Sequence, residues 1–244
     1  RIDLLRNIIF ANEKYGAKLE AYPHSFEEIV GLGPKRHINW AQLSGMDPAR
    51  LVEIGFDPLE TVYEPLRLKT KIMPHGTIEQ RSGDSCPLDI LLSAQALSKG
   101  VHDRIIREDI PIKINDYFDP NTSKNHTPFY FGQDKVILPD YATLKCLEQS
   151  AIREGIGHSL LNRYAQAALT FAVEGLPSED KPYLLPAVEI VQSRMNLADQ
   201  LMQHLRTNHG YHDGNIVNPE QSAAASLYLA ERFKTGLEKL KPLL

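Results

Sequence analysis

Two acidic residues and one histidine in the second half of the chain have the chemistry to bind a metal ion. Glu154 and His158 are four residues apart in a segment whose apolar residues recur at helical spacing, so the two side chains would share one helix face. Glu189 lies on the next predicted helix, which we expect to run antiparallel to the first. Carboxylates and imidazoles are ordinary zinc ligands. The three residues are therefore candidate metal ligands.

The stretch of residues 126–164 resembles the zincin metallopeptidases, in which an edge strand leads into a helix that carries His-Glu-x-x-His. Here the predicted strand has the sequence VILP, and the helix contains EGIGHSLL. If His158 matches the second histidine, Glu154 replaces the first histidine and Gly155 replaces the general-base glutamate. A zinc peptidase needs both histidines and the base. The resemblance therefore implies a zincin-like scaffold without peptidase activity, which binds zinc weakly or not at all and acts by binding a protein or peptide.

The same segment also fits a purely structural interpretation. Glu154 and His158 would then form an ordinary pair on a helix surface, and Gly155 and Gly157 would let a neighbouring helix approach. A glycine inside a helix costs about 1 kcal/mol relative to alanine, so we expect a close contact at these positions. Because a binding site and a tight helix crossing would both require this close approach, Gly157→Leu should destabilise the fold or abolish partner binding, whereas Gly157→Ala should be mild.

A second group of residues suggests thiol chemistry. Cys86 precedes a predicted helix, whose dipole would stabilise a thiolate. His126 opens one strand of a predicted hairpin and Asp140 closes the other, so the carboxylate could orient the imidazole. This order of residues resembles papain-like and transglutaminase-like enzymes, which implies a thiol hydrolase or deamidase as the alternative function. The second cysteine, Cys146, lies among apolar residues of a predicted helix, so we expect it to be buried and protected from alkylation.

The spacing of apolar residues predicts an α+β protein in which helices dominate. A small sheet is expected over residues 108–139, comprising one strand and then a hairpin. Pro111 cannot donate a hydrogen bond to a neighbouring strand, so the first strand should lie at an edge. Helical spacing then continues over residues 140–175, which predicts one long helix against which the sheet packs.

Capping signals indicate where the other helices begin. Asp-Pro pairs at 47–48 and 57–58 are typical of an N-cap followed by the first helical residue, and Asn218-Pro219 has a glutamine at the capping-box position. Further helices are expected over residues 2–20, from Cys86 to Gly100 and from Pro186 to Leu205. We expect one compact domain over residues 1–244, with a helical part (1–100) and a sheet-plus-helices part (101–244).

Composition restricts the partners and the compartment. The net charge of −4 provides no general attraction for nucleic acid, so we do not expect a nucleic-acid partner. Apolar runs are far shorter than the roughly 20 residues of a membrane helix, and the first residues lack a signal-peptide layout. Two cysteines among 244 residues do not form a disulfide framework. The sequence therefore indicates the cytoplasm or another reducing compartment.

Overall fold

The computed structural model describes residues 86–115, 127–213 and 216–243, and in the N-terminal part residues 25, 27–28, 34, 37–38, 41–42, 44–55, 66–69 and 77–80. The chain divides into two compact units, Arg1–Asp84 and Ser85–Leu244. The predicted division between residues 100 and 101 falls inside the helix Leu88–Glu108 of the second unit. The single-domain organisation stays a prediction.

The first unit contains a short helix and a hairpin among its described residues. Helix α1 spans Pro48–Glu53, and the Asp47 carboxylate accepts a hydrogen bond from the Ala49 amide at 2.7 Å. This confirms the start predicted from Asp47-Pro48. Strands β1 (Leu66–Lys69) and β2 (Thr77–Gln80) pair antiparallel. The predicted helix over residues 2–20 and the predicted cap at Asp57 lie outside the described residues.

The second unit is an α+β structure in which helices dominate, as predicted. Its elements are α2 (Leu88–Glu108), β3 (Ile112–Ile114), β4 (Tyr130–Phe131), β5 (Val136–Leu138), α3 (Tyr141–Glu154), α4 (Ser159–Gly175), α5 (Leu185–Ser193), α6 (Leu197–His209) and α7 (Pro219–Leu240). Short 3-10 turns cover Gly155–Gly157, Lys181–Leu184 and Lys241–Leu243. None of the helices in the described part of the chain is both long and apolar enough to cross a membrane.

The small sheet confirms the predicted strand and hairpin. Its strand order is β3-β5-β4, with β3 parallel and β4 antiparallel to β5. Strand β3 is therefore an edge strand, as Pro111 indicated. The Tyr164 ring on α4 lies edge-on to Phe129 and Phe131, with ring centroids 5.0 and 5.5 Å away. Burial among these residues raises the pKa of the Tyr164 hydroxyl. The sheet thus packs on α4.

Helix α2 continues beyond the predicted end at Gly100. It ends only at Asp109, which has left-handed backbone angles (φ 50°). Gly100 is buried where α2 crosses α4. The two backbones approach so closely there that a Cβ at Gly175 of α4 would lie only 1.8 Å from the Gly100 carbonyl oxygen. The glycine marks a close helix crossing and does not mark a helix end.

The core of the second unit lies between α2, α4 and α5. Its buried apolar residues are Ala96, Leu169, Ala172, Leu176, Leu184 and Val191. Burying such side chains contributes about 25 cal/mol per Å² of apolar surface removed from water. This cluster fixes the relative positions of the helices that carry the candidate site residues.

Two predicted helices are interrupted. The helix expected over 140–175 is α3 and α4, separated by the 3-10 turn, because Gly155 has a positive φ of 57° that ends α3. The helix expected from Pro186 to Leu205 is α5 and α6. Arg194 has left-handed angles (φ 56°), and Asn196 then caps α6 in a reciprocal capping box with Asp199. The capping box predicted at Asn218 is present at the start of α7.

Candidate functional site

The proposed metal-binding pair lies on opposite sides of the break between α3 and α4. Glu154 is the last residue of α3 and is exposed, whereas His158 is half-buried and precedes α4 with extended backbone angles (φ −62°, ψ 125°). The two residues are therefore not one turn apart on a continuous helix, and the predicted shared face is wrong. The physical reason is Gly155, whose positive φ turns the chain between them.

The His158 ring has one notable feature. Its Nδ1 atom is buried and has no hydrogen-bond partner, the one such side-chain atom within the described ranges. A buried polar atom of this kind is costly, so it would gain from a donor, a water or a ligand. The rest of the ring is only half-buried. This atom alone does not define a metal site.

The turn between α3 and α4 packs against the segment that connects α5 and α6. The fully buried Asn162 side chain donates to the Val191 carbonyl oxygen at 2.7 Å and accepts from Gln166 at 2.9 Å. A Cβ at Gly155 would lie 2.8 Å from the Asn196 side-chain nitrogen. Since its φ is also positive, glycine is required at this position for two reasons.

Gly157 does not have the role that the sequence suggested. It is exposed, and the nearest atom to a Cβ at this position would be the Arg194 carbonyl oxygen at 4.0 Å. A methyl group at this position would make only an ordinary van der Waals contact. The close approach predicted at Gly157 is therefore wrong, and the close contact belongs to Gly155.

The third proposed metal ligand, Glu189, is an exposed residue of α5. Its carboxylate accepts from the Lys239 ammonium on α7 at 2.9 Å. Across the residues that the structure describes, no three His, Cys, Asp or Glu side chains form a group that could hold a metal ion. Glu154, His158 and Glu189 are therefore not brought together. Weak or absent zinc binding stays a prediction.

A cleft of about 590 Å³ opens beside Glu189. It lies between α2, α5, α6 and α7, and its lining residues are Ile90, Pro186, Glu189, Ile190, Gln192, Ser193, Gln200, Arg232 and Lys239. Both cations in the lining already have a carboxylate partner: Lys239 pairs with Glu189, and Arg232 pairs with the buried Asp89 at 2.9 Å. The cleft therefore offers no uncompensated charge to a ligand.

The residues proposed for thiol chemistry are only partly described. Cys86 is half-buried and lies two residues before the first residue of α2, as predicted. Asp140 is buried and caps α3, with its two carboxylate oxygens accepting from the Thr143 amide at 3.1 Å and hydroxyl at 2.6 Å. His126 lies outside the described residues. The structure thus assigns Asp140 a capping role and leaves the catalytic grouping a prediction.

The environment of the second cysteine differs from the prediction. Cys146 is exposed on α3. The neighbouring Leu147 is the buried apolar residue of this helix, so the face that packs inward does not include Cys146. The expected burial of Cys146 is therefore wrong.

The most distinctive exposed surface in the second unit lies on α7. The inner side of this helix is buried through Gln221, Ala224, Gly236 and Leu240. On the opposite side Leu227, Phe233 and Leu237 are 66%, 41% and 51% exposed. Together with the exposed Ala223 and Ala230 they form a row over four turns, which we call the outer α7 face. The exposed Ser226 and Lys234 lie among these residues on the same side of the helix. Large apolar side chains grouped on one exposed side of a helix are typical of a contact site.

Sequence reasoning did not identify the outer α7 face, although a signal was present. Between Pro219 and Leu240 apolar residues occupy two opposite sides of the helix, and only one side is needed for the core. A helix that is apolar on both sides is either fully buried or has a second partner.

Comparisons with known proteins do not add a relative: no protein-family model, no curated protein and no solved structure matches the chain.

Proposed function

We propose that this chain acts by binding another protein, on a zincin-like scaffold that lacks the catalytic pair. The observation that supports binding is the outer α7 face. Three large apolar side chains are exposed on one side of this helix, with Leu227 the most exposed of them. Water contact with such a row is unfavourable, and burial against a partner would recover about 25 cal/mol per Å².

The structure holds α7 firmly in place, which favours a preformed binding surface. At its start Asn218 and Gln221 form a capping box, and in its middle Arg232 donates to the fully buried Asp89 of α2. Gly236 lies so close to Asp89 that a Cβ there would be 2.4 Å from the carboxylate. A surface that is already ordered loses little conformational entropy when a partner binds.

The binding proposal is tested by comparing variants of the outer α7 face. Tagged wild-type protein, Leu237→Gln and Leu185→Gln should be expressed in the native host, and co-purifying proteins quantified by mass spectrometry. Leu185 on α5 is 58% exposed and is not part of this face, so it is the matched control. We expect a defined set of proteins to be lost with Leu237→Gln and retained with Leu185→Gln. Identical sets from all three proteins would reject the proposal.

The scaffold part of the proposal is supported by the order of elements. A short hairpin, β4 and β5, precedes α3, and the helix that follows His158 packs against that hairpin through Tyr164. The split of Glu154 from His158 supports the loss of metal chemistry. Calorimetry with zinc should give weak or undetectable binding, and peptide substrates should not be hydrolysed. Stoichiometric zinc with zinc-dependent hydrolysis would overturn this part.

The alternative function is a thiol hydrolase or deamidase that uses Cys86, His126 and Asp140. The position of Cys86 immediately before α2 favours it, because the amides of the first helical turn stabilise a thiolate. In a Cys146→Ser background, iodoacetamide should then modify Cys86 at neutral pH faster than a free cysteine peptide, and His126→Ala should slow this reaction. Modification only after denaturation would exclude the alternative.

A further inference from the structure

An acidic edge runs along one side of the outer α7 face. Glu220, Glu231 and Glu238 are separated by eleven and seven residues, which correspond to about three turns and about two turns of helix. All three therefore lie on the same side of α7, next to Leu227, and all three are exposed. None of them belongs to an ion pair among the described residues, so this edge presents three carboxylates to solvent.

Two lysines near the outer α7 face offset part of this charge, since Lys234 lies three residues after Glu231 and four before Glu238, and three carboxylates against two ammonium groups leave the face acidic. Lys234 lies within the apolar row and Lys241 follows the end of the helix, and both are exposed. Neither ammonium group is within ion-pair distance of a carboxylate in the described part of the chain. The opposite edge of the row carries the exposed Ser222, which is uncharged, and the exposed Ser226 lies within the row between Phe233 and Leu237. The two edges of the face therefore differ in charge.

The shape of the face suits a helix. At about 100° per residue the apolar row spans about 120° around the helix axis. An amphipathic helix typically packs on its neighbour through an apolar stripe at least about 100° wide. Ala223 and Ala230 lie along the middle of the row, between Phe233 and Leu237 on one side and Leu227 on the other. Small residues in the middle of a helix contact let the two backbones approach closely.

We infer that the partner is an amphipathic helix of another protein, with an apolar stripe and lysine or arginine residues along one edge. This inference rests on the proposed binding function and adds the chemistry of the partner. Basic residues at that edge would face Glu220, Glu231 and Glu238, so the pairing is complementary in charge. A second copy of this chain fits less well. In an antiparallel pair the acidic edges would face each other, and in a parallel pair the acidic edge would face the uncharged edge that carries Ser222.

The test uses two synthetic helical peptides that share one leucine stripe and differ only in edge residues, lysine in one and glutamate in the other. Binding of each to the full chain is measured by fluorescence anisotropy, with sedimentation to determine the oligomeric state. The lysine peptide should bind at least tenfold more tightly than the glutamate peptide. Leu237→Gln should weaken that binding at least tenfold, and Leu185→Gln should not. Glu231→Lys should reduce the preference for the lysine peptide.

The possible outcomes separate the partner chemistry from the binding proposal itself. Equal affinity for both peptides, each lost with Leu237→Gln, would overturn the charge preference and leave protein binding supported. A wild-type dimer that Leu237→Gln converts to a monomer would identify a second copy as the occupant and overturn this inference. Peptide binding that is unaffected by Leu237→Gln would reject the outer α7 face as the contact surface. Circular dichroism would verify that each variant is folded.

Discussion

Replacing Gly175 by alanine should destabilise the second unit, although alanine is the better helix former. A Cβ on Gly175 would lie 1.8 Å from the Gly100 carbonyl oxygen, whereas real Cβ atoms essentially never approach a neighbour closer than 3.0 Å. The obstructing carbonyl oxygen and carbon of Gly100 belong to the backbone of α2, which cannot rotate away as a side chain can. The two helices would have to separate by more than about 1 Å in a core packed at crystal-like density.

The size of the effect follows from two opposing contributions. Alanine gains at most about 1 kcal/mol in helix propensity. Overpacking a core costs typically about 1–3 kcal/mol, and a contact between two backbones belongs at or above the top of that range. Separating α2 from α4 also loosens Ala172 and Leu176, which are 0% and 4% exposed. We therefore expect a net loss of at least about 2 kcal/mol, or a fall in Tm of about 4–8 °C.

The assay is thermal and urea unfolding followed by circular dichroism, with Gly157→Ala as the matched control. Gly157 has no neighbour closer than 4.0 Å to its Cβ position, so its substitution should change the free energy of unfolding by less than about 0.5 kcal/mol. Gly100→Ala should also destabilise the fold, since its Cβ would lie 2.4 Å from the Ala172 carbonyl oxygen. A Gly175→Ala protein as stable as the wild type would refute the close crossing.

Three further predictions concern charged and reactive groups. Asp89→Ala should lower the free energy of unfolding by about 3 kcal/mol, because it leaves the 17% exposed Arg232 without its partner. Changing Asp89 to Leu and Arg232 to Met together should lower it by less. Urea unfolding of the single and double variants would measure both effects. The hydrogen bond from Arg107 holds the pKa of Glu108 below its ordinary value. The Glu108 carboxylate therefore contributes fully to stability above its unfolded-state pKa of about 4.3, and this contribution is lost as the pH falls through the lowered pKa. Glu108→Gln should remove that part of the acid dependence of the unfolding free energy, and an unchanged pH profile would contradict this. Cys146 should be alkylated in the folded protein, because it is exposed, and slow labelling by mass spectrometry would count against its position on α3.

The local signals of the sequence were enough to predict several elements. The Asp47-Pro48 and Asn218-Pro219 starts are confirmed because N-capping depends on a side chain and an amide only two or three residues away. The edge position of β3 is confirmed because the missing amide of Pro111 restricts strand pairing wherever the strand lies. The α+β class follows from hydrophobic spacing, which is also a local property.

The positions that were predicted wrongly depend on contacts between distant parts of the chain. The sequence predicts a helix end at Gly100, whereas this glycine allows α2 to approach Gly175 of α4, which lies 75 residues later. Of the two glycines near His158, the sequence could not show that Gly155 carries the constraint, because the Asn196 side chain that crowds it comes from another helix. The same break places Glu154 at the end of α3 and His158 before α4, so the shared helix face was also predicted wrongly for a tertiary reason.

Several features that hold α7 in place contribute little to stability, and this bears on why the helix is built as it is. A buried ion pair such as Asp89–Arg232 is often no more stable than apolar residues of the same size. Gly236 costs about 1 kcal/mol in helix propensity relative to alanine. Asp89, Arg232 and Gly236 together fix the position of α7 on α2. The ion pair restricts how the two helices can lie, and the missing side chain of Gly236 makes room for the Asp89 carboxylate, because a Cβ at this position would lie 2.4 Å from one of its oxygens. A helix whose outer side were merely solvated would not need that precision. A helix that presents Leu227, Phe233 and Leu237 to a partner does, since a rigid surface binds without first having to be ordered.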